Sequence, residues 1–391
     1  MSSTQTAIEQ VDIAIVGGGP AGAAALLGLQ HFAGTVALIE KAQFPKEKAC
    51  GDAIPGQAFR LLQTLLPSFE AECAALASAA PSGGGMVYGA FGAQARVQFA
   101  RPSWVIKRAE FDNLLLQKAK TACPCSHLQE ELRTIVRAEG SAGQPGFLLT
   151  FRSGAQLWAR IVLAADGAHS VVRKSLHHDG KAAQEAESIA IRAYAKAGKT
   201  GTQPERTLHL WFAKNVQPGY IWLFPVGSDG YNIGIGIVGK VPQGQSLRRM
   251  LKEALADPNN PIGTNWELDD STWLGHPVPL GRAYSPVSGS GYMLLGDAAH
   301  LVAPATGEGI GHAILSGLIA ADAAIASLAN KEMTAAQMAE LYDIPLLQKL
   351  DPLFARQRRL LWFGGTFPRL FNALIGLASR NSFLRQKLAS L

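Results

Sequence analysis

The sequence predicts an α/β protein. A Rossmann-like parallel-sheet domain is joined to a domain with an antiparallel sheet, and a helical segment follows at the C-terminus. Three observations support this: a strand–glycine–helix–strand unit over residues 11–40, period-two alternation between about 185 and 280, and a basic, helix-forming tail. With 391 residues, 48% of them hydrophobic, the chain is long enough for two closely joined domains.

The N-terminal unit begins with the apolar run Val11–Val16, which is typical of a buried parallel strand. Glycines then follow at G-x-G-x-x-G spacing, where they allow a sharp turn, a close approach to a diphosphate and tight helix–strand packing. The free N–H groups and dipole of the following helix favour an anion. The predicted cofactor contacts in this unit are Gly17, Gly19, Ala21, Gly22, Glu40 and Lys41.

Glu40 ends the second predicted strand, which begins at Val36. A carboxylate at this position accepts hydrogen bonds from the two ribose hydroxyls of an adenosine that lacks a 2′-phosphate. The expected ligand is therefore FAD or NAD and not NADP.

Composition narrows the class of protein. No run of eighteen uncharged apolar residues occurs, and the first ten residues are polar, so neither a membrane span nor a secretory signal is predicted and a cytoplasmic location is expected. The four cysteines lack metal-site spacing and are expected to be reduced, so no metal is predicted. The net charge is +6, but the basic residues are scattered except near the C-terminus, which argues against a nucleic-acid partner.

Cys50 and Arg108, which both come later in the chain than the second strand, each have two interpretations. Cys50 precedes Gly51, so its thiol either faces a flavin or substrate or is a half-buried thiol in a tight turn. Arg108 opens a predicted helix, where its guanidinium either reaches a diphosphate or pairs with Asp112 one turn later.

Two further strands end in a glycine beside an aspartate. A hairpin is predicted over Leu148–Phe151 and Gln156–Leu163, and Asp166 and Gly167 follow its second strand. Gly296 and Asp297 follow the predicted strand Tyr292–Leu295. Ligands bind at this edge of a doubly wound sheet. The last predicted cofactor loop is at the N-terminus of a long helix that ends near Ala329, where the helix end would stabilise charge on a reduced flavin; its residues are Gly307, Glu308, Gly309 and Ile310.

The antiparallel sheet is predicted from alternating segments, preceded by strands over Met86–Phe99. Tyr220, Trp222 and Phe224 alternate along one strand and therefore share a face, which is either core or an aromatic wall for an apolar or planar substrate. The predicted strands of residues 185–280 are Ser188–Arg192, Thr207–Phe212, Tyr220–Pro225, Tyr231–Val238 and Thr272–Pro277.

The tail places Arg356, Arg358 and Arg359 beside leucines and aromatic residues. It either packs on the body of the protein, caps an apolar tunnel or makes peripheral contact with a membrane. The predicted division is a discontinuous cofactor domain (8–55, 100–182 and 285–332), a substrate domain (56–99 and 183–284) and a C-terminal helical region (333–391).

The three glycine fingerprints, in this order, resemble the glutathione-reductase-type FAD fold of p-hydroxybenzoate-hydroxylase-like enzymes. Within that superfamily the chain resembles the geranylgeranyl reductase family. The aromatic motif Y/F-x-W-x-F-P followed by G-x-G is matched by Tyr220–Pro225 with Gly234 and Gly236. The segments Lys48–Asp52 and Pro304–Gly309 resemble the cysteine–glycine loop and the flavin-side loop of those reductases.

The resemblance implies FAD and hydride transfer to an isoprenoid double bond. The FAD is expected to be non-covalent, because no flavin-linking histidine motif is evident, and the electron donor stays open between NAD(P)H and a ferredoxin, because the sequence has one dinucleotide fold. The resemblance also implies that Arg108 contacts the diphosphate and Asp297 the ribityl chain, and that Cys50 and Trp222 act at the reacting centre. His300 departs from many reductases, which have a small or apolar residue there. Flavin halogenases have a related aromatic motif, but their K-x-G-E lysine has no clear counterpart in Lys48–Asp52.

Three functions remain open from the sequence. The first is an FAD-dependent reductase acting on a prenyl or quinone-type substrate. The second is a flavin monooxygenase that forms a hydroperoxide and hydroxylates an aromatic ring, including one carried on a partner protein. The third is an FAD-binding assembly partner without turnover of its own. The expected ligand is an apolar or aromatic small molecule, either free or tethered to a protein or lipid.

Overall fold

The structure is a computed structural model that describes residues 8–177, 188–198, 204–239, 241–263, 265–282, 285–330 and 332–389. The strands are β1 Glu9–Val16, β2 Val36–Ile39, β3 Ala53–Ile54, β4 Ala80–Tyr88, β5 Gln94–Val105, β6 Ser126–Leu128, β7 Leu132–Glu139, β8 Pro145–Phe151, β9 Gln156–Ala164, β10 Ser188–Ala197, β11 Leu208–Trp211, β12 Gly219–Val226, β13 Gly230–Val238, β14 Trp266–Leu268, β15 Leu274–Pro277, β16 Ser288–Gly289 and β17 Tyr292–Leu294. The α-helices are α1 Pro20–Gly28, α2 Gly56–Leu62, α3 Phe69–Ala74, α4 Arg108–Ala122, α5 Val171–Leu176, α6 Leu247–Ala256, α7 Ile310–Asn330, α8 Ala335–Met338, α9 Ile344–Thr366, α10 Pro368–Ala378 and α11 Ser382–Ala389.

The first sheet has the order β16-β17-β9-β1-β2-β6. β1 lies at its centre and pairs in parallel with β2 and β9, and β17 and β6 extend the parallel part at the two sides. β8 pairs antiparallel with β9, and β7 pairs antiparallel with β8. Parallel strands buried on both faces need continuous apolar runs, which is what the sequence of β1 and β2 provides. The carboxyl ends of β1, β2, β9 and β17 therefore meet at one edge.

The second sheet has the order β14-β10-β13-β12-β11-β4-β5-β3, with β15 paired to β10. Its pairs are antiparallel except for β11 with β4. The five strands predicted between residues 185 and 280 are all present here. β5 runs as one strand to Val105, so the second sheet extends beyond residue 99, where the predicted substrate segment ends.

Helix α7 packs along α1 in the core of the first domain. Within the described residues, α7 is the one helix whose length and composition would suit a membrane span, and more than half of its most apolar stretch is buried in the protein. Its buried side is made largely of alanine, glycine and serine, which lets the two helix backbones approach closely. The helix predicted to end near Ala329 thus has the bounds Ile310–Asn330.

Several elements were not predicted. The region from about 185 to 280, predicted as strands, also contains the amphipathic helix α6. Its buried apolar residues have helical and not alternating spacing: Leu247, Met250, Leu251 and Leu255. β7 and β14 were also missed. A π-helical turn, Ala339–Asp343, leads into α9. All four cysteines are free thiols.

Candidate active site

The glycine turn after β1 forms an open cradle at the start of α1. Gly17 has φ 104°, a conformation that favours glycine, and its N–H donates to the carbonyl of Ile39 at 2.7 Å. Gly19 is the N-cap of α1 and offers no side-chain cap to the first-turn N–H groups. A Cβ added to Gly19 would have no atom within 4 Å. This open space at an uncapped helix N-terminus fits a diphosphate.

Glu40 lies buried beside the cradle, with 4% of its surface exposed. One carboxylate oxygen accepts hydrogen bonds from the Gly18 N–H at 2.7 Å and from Lys46 Nζ at 2.9 Å, and the other accepts from the Ala42 N–H at 2.8 Å. The carboxylate is therefore fixed next to the glycine turn, where a ribose is predicted. Lys41, also predicted to contact the cofactor, lies exposed just after Glu40.

A cavity of about 860 Å³ runs from the cradle to the second sheet. Several predicted residues do not line it: Gly17 and Gly22 shape the turn, Glu40 and Asp166 lie behind it, and Gly296 packs against α1 and α7. The predicted site residues that do line it are Gly19, Ala21, Cys50, Arg108, Gly167, Tyr220, Trp222, Phe224, Asp297, Gly307, Glu308, Gly309 and Ile310. Their contacts with cofactor or substrate stay predictions.

Asp297 forms an ion pair with Lys48 across the cavity wall, with Nζ and Oδ2 2.7 Å apart. Burial by itself would raise the pKa of Asp297, but the Lys48 ammonium, together with the positive charge of Arg108, outweighs burial and holds that pKa below its ordinary value. Asp297 is therefore an anion near neutral pH. The pair also fastens the loop that contains Cys50 to the end of β17.

Arg108 makes the intrahelical pair that was one of its two interpretations. Its Nε and one terminal nitrogen donate to the two carboxylate oxygens of Asp112 at 2.7 and 2.6 Å, and both residues are buried. The guanidinium also lines the cavity, so the pairing presents a fixed, charged group there. Its predicted contact with a diphosphate stays a prediction.

Asp166 caps a helix. Its Oδ2 accepts from the N–H of Val171 at 2.7 Å and of Val172 at 3.3 Å, at the start of α5. Its Oδ1 is buried and has no hydrogen-bond partner among the described protein atoms. Burial raises the pKa of this carboxyl. An orphaned buried oxygen beside the cavity-lining Gly167 is an observation that fits a bound polar group at this strand end.

The loop before α7 is braced from two sides. The hydroxyl of Tyr220 donates to the carbonyl of Thr306, and Glu308 accepts from the Gly311 N–H at 2.7 Å. Glu308 also lies 3.0 Å from Nε2 of His312. The loop predicted to lie beside a flavin is thus held against the aromatic strand β12.

The three aromatic residues of β12 form one wall of the cavity. Trp222 and Phe224 are buried and Tyr220 is half-buried, with neighbouring ring centroids 6.2 and 6.5 Å apart. Trp222 lies opposite Gly234 of β13, and a Cβ at Gly234 would collide with the indole. The G-x-G part of the motif therefore makes room for the tryptophan ring.

Asn232 joins this wall to the Cys50 loop. Its Oδ1 accepts from the Trp222 Nε1–H at 2.8 Å, and its Nδ2 donates to the Cys50 carbonyl and to Asp52 Oδ2, each at 2.7 Å. Gly51 lets the loop approach: a Cβ there would lie 2.9 Å from the Phe224 ring. Cys50 is half-buried and lines the cavity; that its thiol faces a flavin or substrate stays a prediction.

Asp52 is the buried centre of this network. It has φ 65° and no exposed surface, and it also accepts a hydrogen bond from the Tyr194 hydroxyl at 2.8 Å. Burial raises its pKa to about 6, although the hydrogen bonds from Asn232 and Tyr194 oppose that shift. A carboxyl that titrates near pH 6 thus lies directly behind the Cys50 loop.

Sequence reasoning missed Lys48, Asp52, Tyr194 and Asn232 as parts of the site. Asn232 carried a signal, because it is the one polar side chain on an otherwise apolar strand, Tyr231–Val238. The Lys48–Asp297 pair carried none, since its members lie 249 residues apart.

Comparisons with known proteins agree with this geometry. The family described as FAD binding domain matches residues 10–326. Menaquinone reductase of Mycobacterium tuberculosis is 27% identical over 392 residues, covering 96% of this chain and 89% of the relative. Digeranylgeranylglycerophospholipid reductase 1 of Methanopyrus kandleri is 27% identical over 344 residues, covering 85% of each.

A solved structure shows the same fold. The geranylgeranyl bacteriochlorophyll reductase-like protein of Thermoplasma acidophilum superposes with a TM-score of 0.78 at 21% identity, covering 96% of this chain and 92% of that one. This likeness confirms the predicted fold class. The names of the curated relatives confirm the predicted resemblance to geranylgeranyl reductases.

The cradle predicts the effect of one substitution. In Gly19→Val the new side chain enters open space, so the protein folds, but the side chain fills the room needed by the diphosphate of FAD. We expect FAD affinity, measured by flavin fluorescence titration, to fall roughly 100-fold or more, since hydrogen bonds to a charged group contribute about 1.5–3 kcal/mol each.

Gly83→Val is the matched control, because Gly83 is an exposed residue of β4 and an added Cβ there also meets nothing within 4 Å. It should bind FAD like the wild type. Unchanged flavin content in Gly19→Val would show that the diphosphate lies elsewhere.

Proposed function

The chain belongs to the FAD binding domain family, and on that premise we propose that it is an FAD-dependent reductase that saturates a carbon–carbon double bond in an apolar prenyl or quinone-type substrate. The proposal is supported by its relatives, whose names are menaquinone reductase and digeranylgeranylglycerophospholipid reductase. The cavity supports it independently.

The observation that carries the proposal is the change of character along the cavity. At one end lie the glycine cradle and the Lys48–Asp297 pair, which suit a polar cofactor. The aromatic wall follows, and beyond it the lining is apolar: Val87, Val97, Phe99, Leu208, Leu210 and Phe212. Such a lining suits a long hydrocarbon chain, whose burial is favoured by about 0.8 kcal/mol per CH₂.

The residues of this chain position the substrate. Once reduced by the electron donor, bound FAD would supply the two electrons as hydride, and saturation of the double bond would also take up one proton. Asn232 fixes the Trp222 indole and the Cys50 loop in one arrangement, so the wall and the thiol face the substrate with defined geometry. The Tyr220 bond to Thr306 holds the cofactor-side loop against the same wall. Reaction rates depend steeply on such positioning.

The electron donor that we propose is NAD(P)H bound transiently or a reduced ferredoxin, because the sequence has one dinucleotide fingerprint. The two are distinguished by anaerobic reduction of the bound flavin with each donor in turn. The donor that reduces the flavin at a rate at least equal to turnover is the competent one.

The test of the proposed function uses prereduced protein and a menaquinone with a short prenyl side chain, under anaerobic conditions. Saturation of the side chain adds two hydrogens that persist when the product is exposed to air, whereas a quinol reoxidises. We expect a stable gain of two hydrogens by mass spectrometry. Reduction of the ring alone, or incorporation of an oxygen atom when air is admitted, would replace the proposal by a quinone reductase or a monooxygenase.

Cys50 provides a second prediction. Its thiol lines the cavity while its carbonyl is held by Asn232, so Cys50→Ala changes the cavity wall without moving the loop. We expect single-turnover substrate reduction to slow tenfold or more in Cys50→Ala and less in the nearly isosteric Cys50→Ser, with FAD affinity unchanged.

Cys125→Ser is the control, since Cys125 is also a half-buried free thiol but does not line the cavity. Equal single-turnover rates in wild type, Cys50→Ala and Cys50→Ser would remove Cys50 from the reacting centre.

A further inference from the structure

The C-terminal helices present an exposed apolar surface. Eleven large apolar side chains in the described residues are exposed, and seven of them lie between the end of α9 and α11 or on the adjoining β4–β5 turn. We call these seven the C-terminal apolar face: Phe91, Trp362, Phe367, Leu370, Leu374, Leu377 and Phe383. The Trp362 side chain is 65% exposed. A patch of this kind marks a site of interaction.

Helix α10 is apolar on two sides. Phe371, Ile375 and Ala378 form a buried stripe against the second sheet. Leu370, Leu374 and Leu377 repeat the same spacing one position earlier and are exposed. The exposed stripe therefore lies roughly 100° around the helix from the buried one. A helix that only caps a protein core needs a single apolar stripe, so the second one requires another apolar environment.

The charge of the protein is concentrated in the same segment. Residues 352–391 contain seven basic residues and no acidic one, so the rest of the chain carries a net charge of −1 although the whole chain carries +6. By helical spacing, Arg369 of α10 lies on the side of the exposed stripe away from the buried one, and Arg380 is exposed two residues after the helix ends. Arginines that flank an apolar stripe are typical of helices that lie in the interface of an anionic membrane.

The apolar face adjoins the substrate cavity. Val87 and Val97 line the cavity and also pack in one cluster with Phe371 and Ile375 of α10. Aromatic rings connect the two regions: the Tyr220–Phe212 centroids are 5.8 Å apart and the Phe212–Phe371 centroids 5.1 Å. Leu361 of α9 is itself part of the cavity lining. The apolar end of the cavity thus lies directly under the helices that carry the exposed face.

We propose that the C-terminal apolar face docks on the surface of an anionic lipid bilayer and that the apolar end of the cavity receives its substrate there. The exposed leucine stripe enters the acyl boundary, the arginines contact lipid headgroups, and a prenyl chain passes between the bilayer and the cavity without crossing water. The docking follows from the surface itself. The delivery of substrate rests on the proposed function.

The test is co-sedimentation of the FAD-loaded full chain with vesicles. The wild type should bind vesicles of phosphatidylglycerol and phosphatidylcholine at least tenfold more tightly than vesicles of phosphatidylcholine alone. The variant Leu370→Ser/Leu374→Ser/Leu377→Ser keeps the buried stripe and should lose at least tenfold in binding. Arg369→Gln/Arg380→Gln should lose roughly fivefold for each charge removed.

Matched controls come from exposed residues outside the C-terminal apolar face. Val136→Ser/Ile344→Ser removes apolar side chains of similar exposure, and Arg133→Gln/Arg152→Gln removes two exposed charges. Both should bind vesicles like the wild type. No preference of the wild type for anionic vesicles, or equal binding by the triple leucine variant, would overturn the proposal. If the leucine variant instead changed a dimer to a monomer in sedimentation velocity with vesicle binding unchanged, the face would belong to a second copy.

Measurements of substrate turnover distinguish the membrane-docking proposal from the proposed function. The leucine variant should reduce a short-chain substrate in solution at the wild-type rate and should fail only with a long-chain substrate embedded in vesicles. Vesicle binding by a wild-type protein that reduces no prenyl substrate would leave the docking intact and remove the proposed function. Equal turnover of the embedded substrate by the wild type and the leucine variant would show that substrate entry does not depend on the apolar face. That result would overturn the delivery step.

Discussion

The side chain of Asn232 holds together the parts of the site that the chain itself supplies. One amide accepts from the Trp222 indole and donates both to the Cys50 carbonyl and to buried Asp52. The second sheet contributes the amide and the indole, and the loop that follows the first βαβ unit contributes the cysteine. Because Asn232 and Asp52 have no exposed surface, loss of the bond to Trp222 or to Asp52 leaves a buried polar group unpaired, at a cost of about 1–3 kcal/mol. The relative position of wall and loop is therefore strongly determined.

The first βαβ unit was predictable because its signals are local. The Gly17–Gly22 spacing and the strand that ends at Glu40 lie within thirty residues, and each glycine has a backbone reason to be there. The shared face of Tyr220 and Trp222 followed from period two alone. The hydrogen-bond network of Asn232 could not be predicted from the sequence. Asn232 and Cys50 are 182 residues apart, and only the packing of the two sheets brings them together. Arg108 shows the intermediate case, in which the sequence defined two partners and the structure shows the pair with Asp112.

The C-terminal helices contact buried residues of the protein as well as forming part of its surface. Gln357 of α9 has no exposed surface and accepts a hydrogen bond from the Ala305 N–H at 3.0 Å, in the loop that precedes α7. Phe354 packs on His312, with ring centroids 5.5 Å apart. The tail is thus part of the support of the cofactor-side loop: α9 buries Leu350, Phe354 and Gln357 on one face, whereas α10 is apolar on two sides. Both of the non-membrane interpretations of the tail, packing on the body and capping an apolar tunnel, describe contacts that it makes.

The most direct test of this account compares Asn232→Leu with Asn260→Leu. Both asparagines are buried and make three hydrogen bonds, but those of Asn260 go to Leu255, Ile262 and Gly263, away from the cavity. Both variants should lower the free energy of unfolding by a similar amount. With FAD content equal, kcat for reduction of the prenyl substrate should fall at least tenfold in Asn232→Leu and stay at the wild-type value in Asn260→Leu. Equal kcat in the two variants would contradict the claim that the Asn232 amide sets the geometry of the site.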